Sequence, residues 1–298
     1  MAQTEKIPKV SVCVITYNQE RFIRQCLQSI VDQKTDFDFE VIVGDDCSTD
    51  GTKAIVNEFA NKYPHKIYPI FQSRNIGSGV HNYLSVHNAA RGKYVAHVDG
   101  DDYLLPGKLQ RQERFLDQNE NFTVVWHRLC VENMRTNEIS TTLDLAEIYK
   151  DGVVSLDKLL RYGAAGAHSS MMYRRAARRT KTPKFDVLDL FYSLELLESG
   201  KGMLLKDVLG TFRVLDDSIN NEKRTKVRAL CAHHISYFYK RHPDFRKDVF
   251  MFSFTNFLVD LLRRRRSSFE FLKLALSSFE LISPYEFFVY VRNLRRYF

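Results

Sequence analysis

Three short polar clusters within the first 102 residues combine side-chain types that could bind a metal ion. They are Thr-Tyr-Asn at 16–18, Asp-Asp at 45–46 and Asp-Gly-Asp-Asp at 99–102. Crowded carboxylates repel one another unless they are protonated or hold a cation, and Asp99 and Asp101 could supply the hard oxygen ligands that Mg²⁺ and Mn²⁺ prefer. Turns between strands and helices favour Asp, Asn and Gly in any protein, but three such clusters at one sheet edge favour a ligand site.

Each of these clusters follows a run of residues that predicts a β-strand. Apolar, β-branched runs predict strands over residues 10–15, 40–43, 67–71 and 94–98. Helices are predicted between them, over 21–31, 48–61 and 81–90. This alternation implies right-handed βαβ units and a Rossmann-like, mostly parallel sheet flanked by helices. Ligands bind beyond the carboxyl ends of the strands in such sheets, where the three clusters lie.

The α/β pattern continues less regularly to about residue 200. We expect a helix from Pro106 to about 119, a strand over 122–131, and a loop or small accessory element over 133–150. A helix over 156–161, a strand over 169–173 and a helix over 189–198 follow. His97, inside a predicted strand, is expected to be a hydrogen-bonded structural histidine. The same is expected of His168, with contact to an acceptor or a diphosphate as the alternative.

Glycine-rich phosphate loops are absent from the sequence. Neither GxGxxG nor GxxxxGK[ST] occurs, which argues against dinucleotide binding and P-loop chemistry. The remaining interpretation is a diphosphate that is held through a metal ion. The metal would act as a Lewis acid on a departing nucleotide diphosphate.

Composition indicates a globular protein of the reducing cytoplasm. The 298 residues carry a net charge of +8, 44% are hydrophobic and 27% are charged. No apolar run approaches the roughly 18 residues that a membrane crossing needs, and the first residues lack the pattern of a signal peptide. The five cysteines form no CxxC pair, which argues against disulfides and structural zinc.

The positive charge is concentrated near the C-terminus. Residues 221–298 contain 16 lysines and arginines against seven acidic residues, and 17 of the 38 aromatic residues. We therefore divide the chain into a catalytic domain at 1–220 and a basic, aromatic-rich helical extension at 221–298. Apolar residues at helical spacing over 248–262 are followed directly by four arginines, residues 263–266. This extension either packs on the body of the protein or lies on an anionic membrane surface.

Four segments together resemble glycosyltransferase family 2. They are VSVCVITYN, EVIVGDDCSTDGT, RNIGSG and GKYVAHVDGDDYLLPGKLQRQ, in the order and spacing of that family, and the resemblance extends over about residues 8–215. It implies a GT-A fold with a nucleotide-sugar half at about 1–102 and an acceptor half at about 103–220. The chain is similar to bacterial enzymes that extend O-antigen or other cell-surface polysaccharides.

The resemblance also implies roles for individual donor-site residues. Tyr17, with Thr16 beside it, would pack against or bond the nucleotide base. Asp46 would accept the uracil imide proton, which favours a UDP-sugar donor. Asp101 would be the principal ligand of Mn²⁺ or Mg²⁺, and Asp99 would hold the ribose or join the metal. Arg74 and Asn75 fall where donor-binding residues often lie in this family.

The general base implied by the resemblance is Asp189, with Asp186 as the alternative. Leu188 and Leu190 flank Asp189 where family members often have Gly or Glu and Trp, and the His expected after Phe-Arg-x is Leu215. An alternative explanation for Asp189 is a helix N-terminal acid favoured by the helix dipole.

The expected function is inverting transfer of a hexose, glucose or galactose being favoured, from a UDP-sugar to a lipid-linked or growing surface glycan. The acceptor would sit on a polyprenyl diphosphate lipid at the cytoplasmic face of the inner membrane. The alternatives are a different donor such as UDP-GlcNAc, or a catalytically silent nucleotide-sugar binder. Nucleic-acid binding is not expected, because the aromatic residues of the extension follow helix-core spacing and no recognition motif occurs.

Overall fold

A computed structural model describes residues 7–75, 77, 79–145, 148–179, 185–215 and 221–295. Its contacts divide the chain into two compact units. The first consists of Met1–Thr142, Gly166–Thr182 and Met203–Asp216, and the second of Leu143–Ala165, Pro183–Gly202 and Asp217–Phe298. The sequence-based boundary at 220 falls within 216–220, outside the described residues, and the division at that point stays a prediction.

The elements alternate as the sequence predicts over the first hundred residues. In chain order the strands are β1 (Val10–Thr16), β2 (Phe39–Asp45), β3 (Ile67–Phe71), β4 (Tyr94–Asp99), β5 (Tyr103–Leu104), β6 (Phe122–Asn133), β7 (Ile139–Thr141), β8 (Val153–Val154), β9 (Met172–Arg174) and β10 (Lys201–Val214). The α-helices are α1 (Ile23–Val31), α2 (Thr52–Lys62), α3 (Gly79–Ala89), α4 (Lys108–Gln118), α5 (Leu156–Tyr162), α6 (Asp189–Leu197), α7 (Asn221–Arg241), α8 (Arg246–Leu262), α9 (Ser268–Ser277) and α10 (Pro284–Arg295).

The first unit is built on one mixed sheet with the strand order β3-β2-β1-β4-β9-β6-β10-β5. β1 pairs in parallel with β2 and β4, and β2 pairs in parallel with β3. β9 runs antiparallel to both β4 and β6. The predicted α/β class with a largely parallel core sheet is therefore confirmed.

Burial explains why the central strands and their helices form. β1 and β2 are buried on both faces, as expected for parallel strands covered by helices. On α1 the buried residues Ile23, Cys26, Leu27 and Ile30 recur at helical spacing and form one apolar stripe. These residues join β1, β2 and β4 in a single hydrophobic core.

Two sequence predictions in the later part of the first unit need correction. Residues 168–170 form a turn of 3₁₀-helix, although the strand was predicted to begin at 169. Ser170 N–H bonds to the carbonyl of Ala167, and Met171 N–H bonds to that of His168. β9 begins only at Met172. The long strand β10 was not predicted, because its buried and exposed residues alternate irregularly.

The second unit is mainly helical. α5, α7 and α9 each contact α8 or one another, and α6 contacts α5 and α7. The predicted helices over 156–161, 189–198 and 248–262 are confirmed by α5, α6 and α8.

The predicted apolar face of α8 is only partly correct. Phe250 is buried, but Leu261 is 54% exposed, and the buried set also includes Met251 and Phe252 on other sides of the helix. The reason is that α8 has packing partners in more than one direction. Within the described parts of the chain, none of the helices combines the length and the hydropathy needed to cross a membrane.

Candidate functional site

The carboxyl ends of β1, β2 and β4 bring the three polar clusters together at one edge of the first unit's sheet. Thr16 lies opposite Asp45, and Ile15 lies opposite Asp99. Gly100 follows β4 so closely against β1 that a Cβ atom there would lie 2.9 Å from the Cβ of Thr16. A side chain at this position would therefore separate the two strand ends.

The loops after β1 and β2 are bonded to each other. The backbone N–H of Asn18 donates to Ser48 Oγ at 2.9 Å, and Asn18 Oδ1 accepts from the N–H of Thr49 at 2.8 Å. Asn18 has a φ of 51°, a left-handed conformation that Asn tolerates better than most residues. These bonds fix the backbone next to Tyr17 and Asp46.

The two adjacent acids Asp45 and Asp46 have different surroundings. Asp45 is fully buried and accepts hydrogen bonds from the backbone N–H and the hydroxyl of Ser48. The backbone N–H of Asp46 donates to the carbonyl of Thr16 at 3.0 Å, and its side chain lines a cavity. Asp45 thus supports the loop, whereas Asp46 is the acid placed to meet a ligand.

That cavity has a volume of about 560 Å³ and belongs entirely to the first unit. Six of the predicted site residues line it, and Tyr17 keeps 44% of its surface exposed. Arg74 is exposed and is not among the lining residues. The lining comprises Ile15, Thr16, Tyr17, Gln19, Asp46, Asn75, Gly77, Gly79, Asn82, Asp99, Asp101 and Phe212.

Asp99 is held on both carboxylate oxygens. His97 Nε2 lies 3.2 Å from its Oδ1, and Ser169 Oγ lies 3.1 Å from its Oδ2. The backbone N–H of Asp99 donates to the same Ser169 oxygen at 3.0 Å. Burial alone would raise the pKa of Asp99, but the hydrogen bond from His97, the charges of His97 and His168, and Ser169 bring it to about 2. The carboxylate is therefore ionised and fixed in orientation.

A buried hydrogen-bond chain continues behind His97. His97 Nδ1 lies 2.9 Å from His87 Nε2, and His87 Nδ1 lies 2.7 Å from the hydroxyl of Tyr173. Burial lowers the pKa of His87 well below its usual value, so its ring is neutral. Since the carboxylate of Asp99 can only accept, His97 donates to it from Nε2. The neutral ring of His87 has one donor and one acceptor nitrogen, and these face His97 and the hydroxyl of Tyr173.

The ionised forms of Asp101 and Asp102 are unfavourable in this environment. Burial, followed by the charge of Asp99, raises the pKa of Asp101 and raises that of Asp102 to about 7. A divalent cation would offset this repulsion, and all-oxygen donors suit Mg²⁺ or Mn²⁺. These residues fit such an ion, and Asp101, which lines the cavity, would be its principal ligand.

Arg213 holds the loop that carries these acids. Its Nη1 donates to the backbone carbonyl of Asp101 at 2.6 Å, and its backbone N–H donates to Asp102 Oδ1 at 3.0 Å. Its remaining guanidinium nitrogens reach Gln25 Oε1 at 2.6 Å and Glu132 Oε2 at 3.3 Å. Because Arg213 is nearly buried, it acts as a fixed support for the loop.

His97, Asp99 and His168 form a second group of possible metal ligands. Their ligating atoms lie within 4.8 Å of one another. The two imidazole rings, however, are stacked at 3.8 Å with an angle of 24°. An ion about 2.1 Å from a nitrogen of each ring would lie well out of the plane of at least one of them. The cluster suits the orientation of Asp99 better than it suits metal binding.

Several functional positions were not predicted from the sequence. Gln19 accepts from the hydroxyl of Thr16 at 2.8 Å, and Asn82 donates to the carbonyl of Gly44 at 2.8 Å, so both are fixed where they line the cavity. Phe212 also lines it. The polar character of Gln19, directly after the first cluster, was the one local signal available.

The predicted base lies in the second unit. Asp189 is the first residue of α6 and is exposed, and it forms no ion pair with any residue that the structure describes. Asp186 is also exposed and pairs with Lys226 at 3.3 Å. The position of Asp189 is compatible with both interpretations, a catalytic base or a helix N-terminal acid, and its catalytic role stays a prediction.

Comparison with known proteins gives a family and several relatives. The profile of the family described as "Glycosyl transferase family 2" matches residues 11–180. EpsE of Bacillus subtilis, which carries the name of a glycosyltransferase, is 30% identical over 232 residues, covering 73% of this chain and 77% of EpsE. TuaG of the same organism carries the name of a putative teichuronic acid biosynthesis glycosyltransferase. It is 28% identical over 219 residues, and the match covers 72% of this chain and 83% of TuaG. The uncharacterized protein Rv1520 of Mycobacterium tuberculosis is 45% identical over 124 residues, 41% of this chain, and the match spans about a third (35%) of that relative.

Solved structures share the fold. Residues 1–349 of TarS from Staphylococcus aureus, in complex with UDP-GlcNAc, superpose with a TM-score of 0.56 at 22% identity, covering 76% of this chain and 66% of that one. A mannosyltransferase from Pyrobaculum calidifontis, in complex with GDP-Man and Mn²⁺, gives a TM-score of 0.60 at 17% identity, covering 98% and 81%. At these identities the likeness establishes the GT-A fold alone.

Proposed function

The chain belongs to glycosyltransferase family 2, and on that premise we propose that it is an inverting enzyme that transfers a hexose from a UDP-sugar. The favoured hexoses are glucose and galactose. The acceptor is a growing bacterial surface polysaccharide, in keeping with the similarity to TuaG, whose name refers to teichuronic acid biosynthesis. One observation carries the proposal: a single cavity is lined by Tyr17, Asp46, Asp99 and Asp101.

Within this cavity the donor nucleotide has complementary partners. The exposed ring of Tyr17 offers a surface on which a base can stack. Asp46 is an acceptor suited to the imide N–H of uracil, a donor that cytosine lacks at the same position. The fixed, ionised Asp99 is an acceptor for ribose hydroxyl groups, and Asn75 lies on the same lining. Arg74, exposed next to it, remains a proposed donor-binding residue on the resemblance alone.

Asp101, together with Asp99, would hold Mn²⁺ or Mg²⁺. When bound, such an ion supplies positive charge that stabilises the departing diphosphate. The raised pKa values of Asp101 and Asp102 support this assignment, because binding a cation is favoured where carboxylates repel one another.

Inversion requires direct displacement at the anomeric carbon. The acceptor hydroxyl oxygen forms the new bond to that carbon as the bond to the UDP oxygen breaks, and the hydroxyl proton goes to a general base. We assign this base to Asp189, with Asp186 as the alternative. The ion pair of Asp186 with Lys226 favours Asp189, because a carboxylate already paired with a cation is a weaker base.

We further propose that the acceptor is carried on a polyprenyl diphosphate lipid and that the C-terminal helices contact the inner leaflet from the cytoplasmic side. The basic composition of residues 221–298 supports this part of the proposal. UDP-GlcNAc is the alternative donor, since TarS was crystallised with that nucleotide sugar. A catalytically silent nucleotide-sugar binder is the alternative to an enzyme.

The donor assignment is tested by Asp46→Ala with a panel of nucleotides. Loss of a hydrogen bond to an ionised group costs about 1.5–3 kcal/mol, so UDP affinity should fall about 10- to 150-fold. CDP serves as the matched control, because it lacks the imide N–H, and its affinity should change little. Equal losses for UDP and CDP in isothermal titration calorimetry would show that Asp46 does not select the base.

A further inference from the structure

Four consecutive arginines join α8 to α9 in the second unit. The chain turns at Arg264, whose φ of 52° lies in the left-handed region. The N–H groups of Arg263 and Arg265 bond back to the carbonyls of Val259 and Asp260, and α9 begins at Ser268. The four side chains therefore emerge from one tight connection.

This connection is fixed by a buried carboxylate. Asp260 is fully buried and lies 2.7 Å from Arg228 Nε, 3.4 Å from Arg265 Nη1 and 2.6 Å from the hydroxyl of Ser267. Since a buried carboxylate needs such partners, Arg228 and Arg265 serve the fold. They are not available to a ligand.

The side chains of the other three arginines are accessible to a ligand. Arg263, Arg264 and Arg266 are exposed, and none of them forms an ion pair with a carboxylate among the residues that the structure describes. They line an open cavity of about 1020 Å³ together with Lys226 and Glu270. The acids nearby are already paired, Asp186 with Lys226 and Glu270 with Lys273, each at 3.3 Å.

Large apolar side chains that neighbour these arginines in the chain are exposed. Leu262, directly before the arginines, is 84% exposed, and Phe269, on the first turn of α9, is 66% exposed. Leu276 follows Phe269 by seven residues, on the same face of α9, and is also exposed. Isolated apolar residues on a surface are ordinary, but this set adjoins three unpaired guanidinium groups.

We propose that this surface, defined by Leu262, Arg263, Arg264, Arg266 and Phe269, binds the phosphate groups of anionic lipids at a bilayer surface. Guanidinium groups suit phosphate oxygens, and the exposed leucine and phenylalanine would enter the interfacial layer. A soluble phosphate would use the arginines but would leave the apolar residues in water, and for this reason the lipid is favoured. The proposal identifies the site behind the membrane contact proposed above and rests on that part of the proposed function.

The test is co-sedimentation with vesicles of phosphatidylcholine, with and without phosphatidylglycerol. The wild-type protein should bind the anionic vesicles, less strongly as salt increases. Each cationic residue near such a surface strengthens binding about fivefold, so R263Q/R264Q/R266Q should weaken it about a hundredfold and remove most of the salt dependence. L262S/F269S should also weaken binding but leave the salt dependence in place.

The matched control is R21Q/R135Q/R175Q, which removes three exposed arginines of the first unit that form no ion pair with a carboxylate among the described residues. It should bind anionic vesicles nearly as well as the wild type. An equal loss of vesicle affinity in the two triple variants would overturn the proposal. Wild-type protein that binds vesicles equally well with and without phosphatidylglycerol, or that binds an RNA oligonucleotide more tightly than the vesicles, would also overturn it. UDP release measured without vesicles on the same samples separates the two ideas, because vesicle binding without UDP release contradicts only the enzymatic proposal.

Discussion

The hydrogen-bond chain behind Asp99 leads to a prediction that separates orientation of the carboxylate from stability of the fold. His97→Phe keeps an aromatic ring that can stack on His168 but removes the donor to Asp99 Oδ1 and the hydrogen-bond partner of His87 Nε2. Among the side chains that the structure describes, Ser169 alone would then bond to the carboxylate.

Two effects of His97→Phe can be worked out from these bonds. The buried Nε2 of His87 loses its hydrogen-bond partner, which costs about 1–3 kcal/mol of folding free energy. Asp99 loses its fixed orientation, and ordering a side chain on binding costs roughly 0.5–1.5 kcal/mol. UDP binding in the presence of Mn²⁺ should therefore weaken about 2- to 12-fold.

Tyr173→Phe is the matched control at the far end of the chain. It removes the hydroxyl group that is hydrogen-bonded to His87 Nδ1 and should destabilise the fold by a similar amount. Both donors to Asp99 remain, so UDP affinity should change by less than about twofold. His97→Gln should recover UDP affinity relative to His97→Phe, because its amide can donate to the carboxylate.

Calorimetric titration with UDP and thermal unfolding of the three variants test this account. An equal loss of UDP affinity in Tyr173→Phe and His97→Phe would mean that affinity follows stability alone. Unchanged UDP affinity in a destabilised His97→Phe protein would likewise refute the positioning role.

Three further predictions concern other residues. Asp101→Ala should lower UDP release at least about a hundredfold and leave the circular dichroism spectrum unchanged. Activity that persists in this variant would show that Asp101 is not the principal metal ligand. Asp189→Asn should keep UDP affinity and lose transfer to acceptor, whereas normal transfer would redirect attention to Asp186→Asn. Burial lowers the pKa of Lys108 from 10.5 to about 7, and its Nζ has no hydrogen-bond partner among the described residues. Between these values the unfolded chain binds more protons than the folded one, so stability should rise with pH from about 7 to 10.5. Lys108→Met should abolish this rise of stability with pH and increase the melting temperature at pH 7. If the pH profile of stability is the same in the variant, Lys108 is not its cause.

Much of the sheet edge that carries the cavity was predictable from the sequence because its determinants are local. Buried strands read as short β-branched runs, and the polar residues that follow them must meet at one sheet edge. Asp46, Asp99 and Asp101 were identified on this basis, and the cavity contains all three.

The supporting contacts were not predictable, because they join residues far apart in the chain. His97 was expected to be a hydrogen-bonded structural histidine, and it is one, but its link through His87 to Tyr173 depends on packing between α3, β4 and β9. Arg213 supports the loop of Asp101 and Asp102 from more than 100 residues away. Spacing within a sequence window carries no signal for such pairs.

Prediction of the C-terminal helices from the sequence was limited in a different way. Helical spacing predicted α8 correctly, but it could not tell which of its apolar residues would meet a neighbour, and Leu261 proved exposed. Amphipathic patterns identify a face only when a helix packs on one side.

The measurement that tests the central claim most directly is UDP release from a panel of UDP-hexoses and UDP-GlcNAc, each with Mn²⁺, Mg²⁺ or EDTA. The account predicts metal-dependent release from one hexose donor, abolished by EDTA and by Asp101→Ala. Undiminished release in EDTA would contradict the metal assignment. Failure to bind any uridine nucleotide would contradict the donor site formed by Tyr17, Asp46 and Asp99.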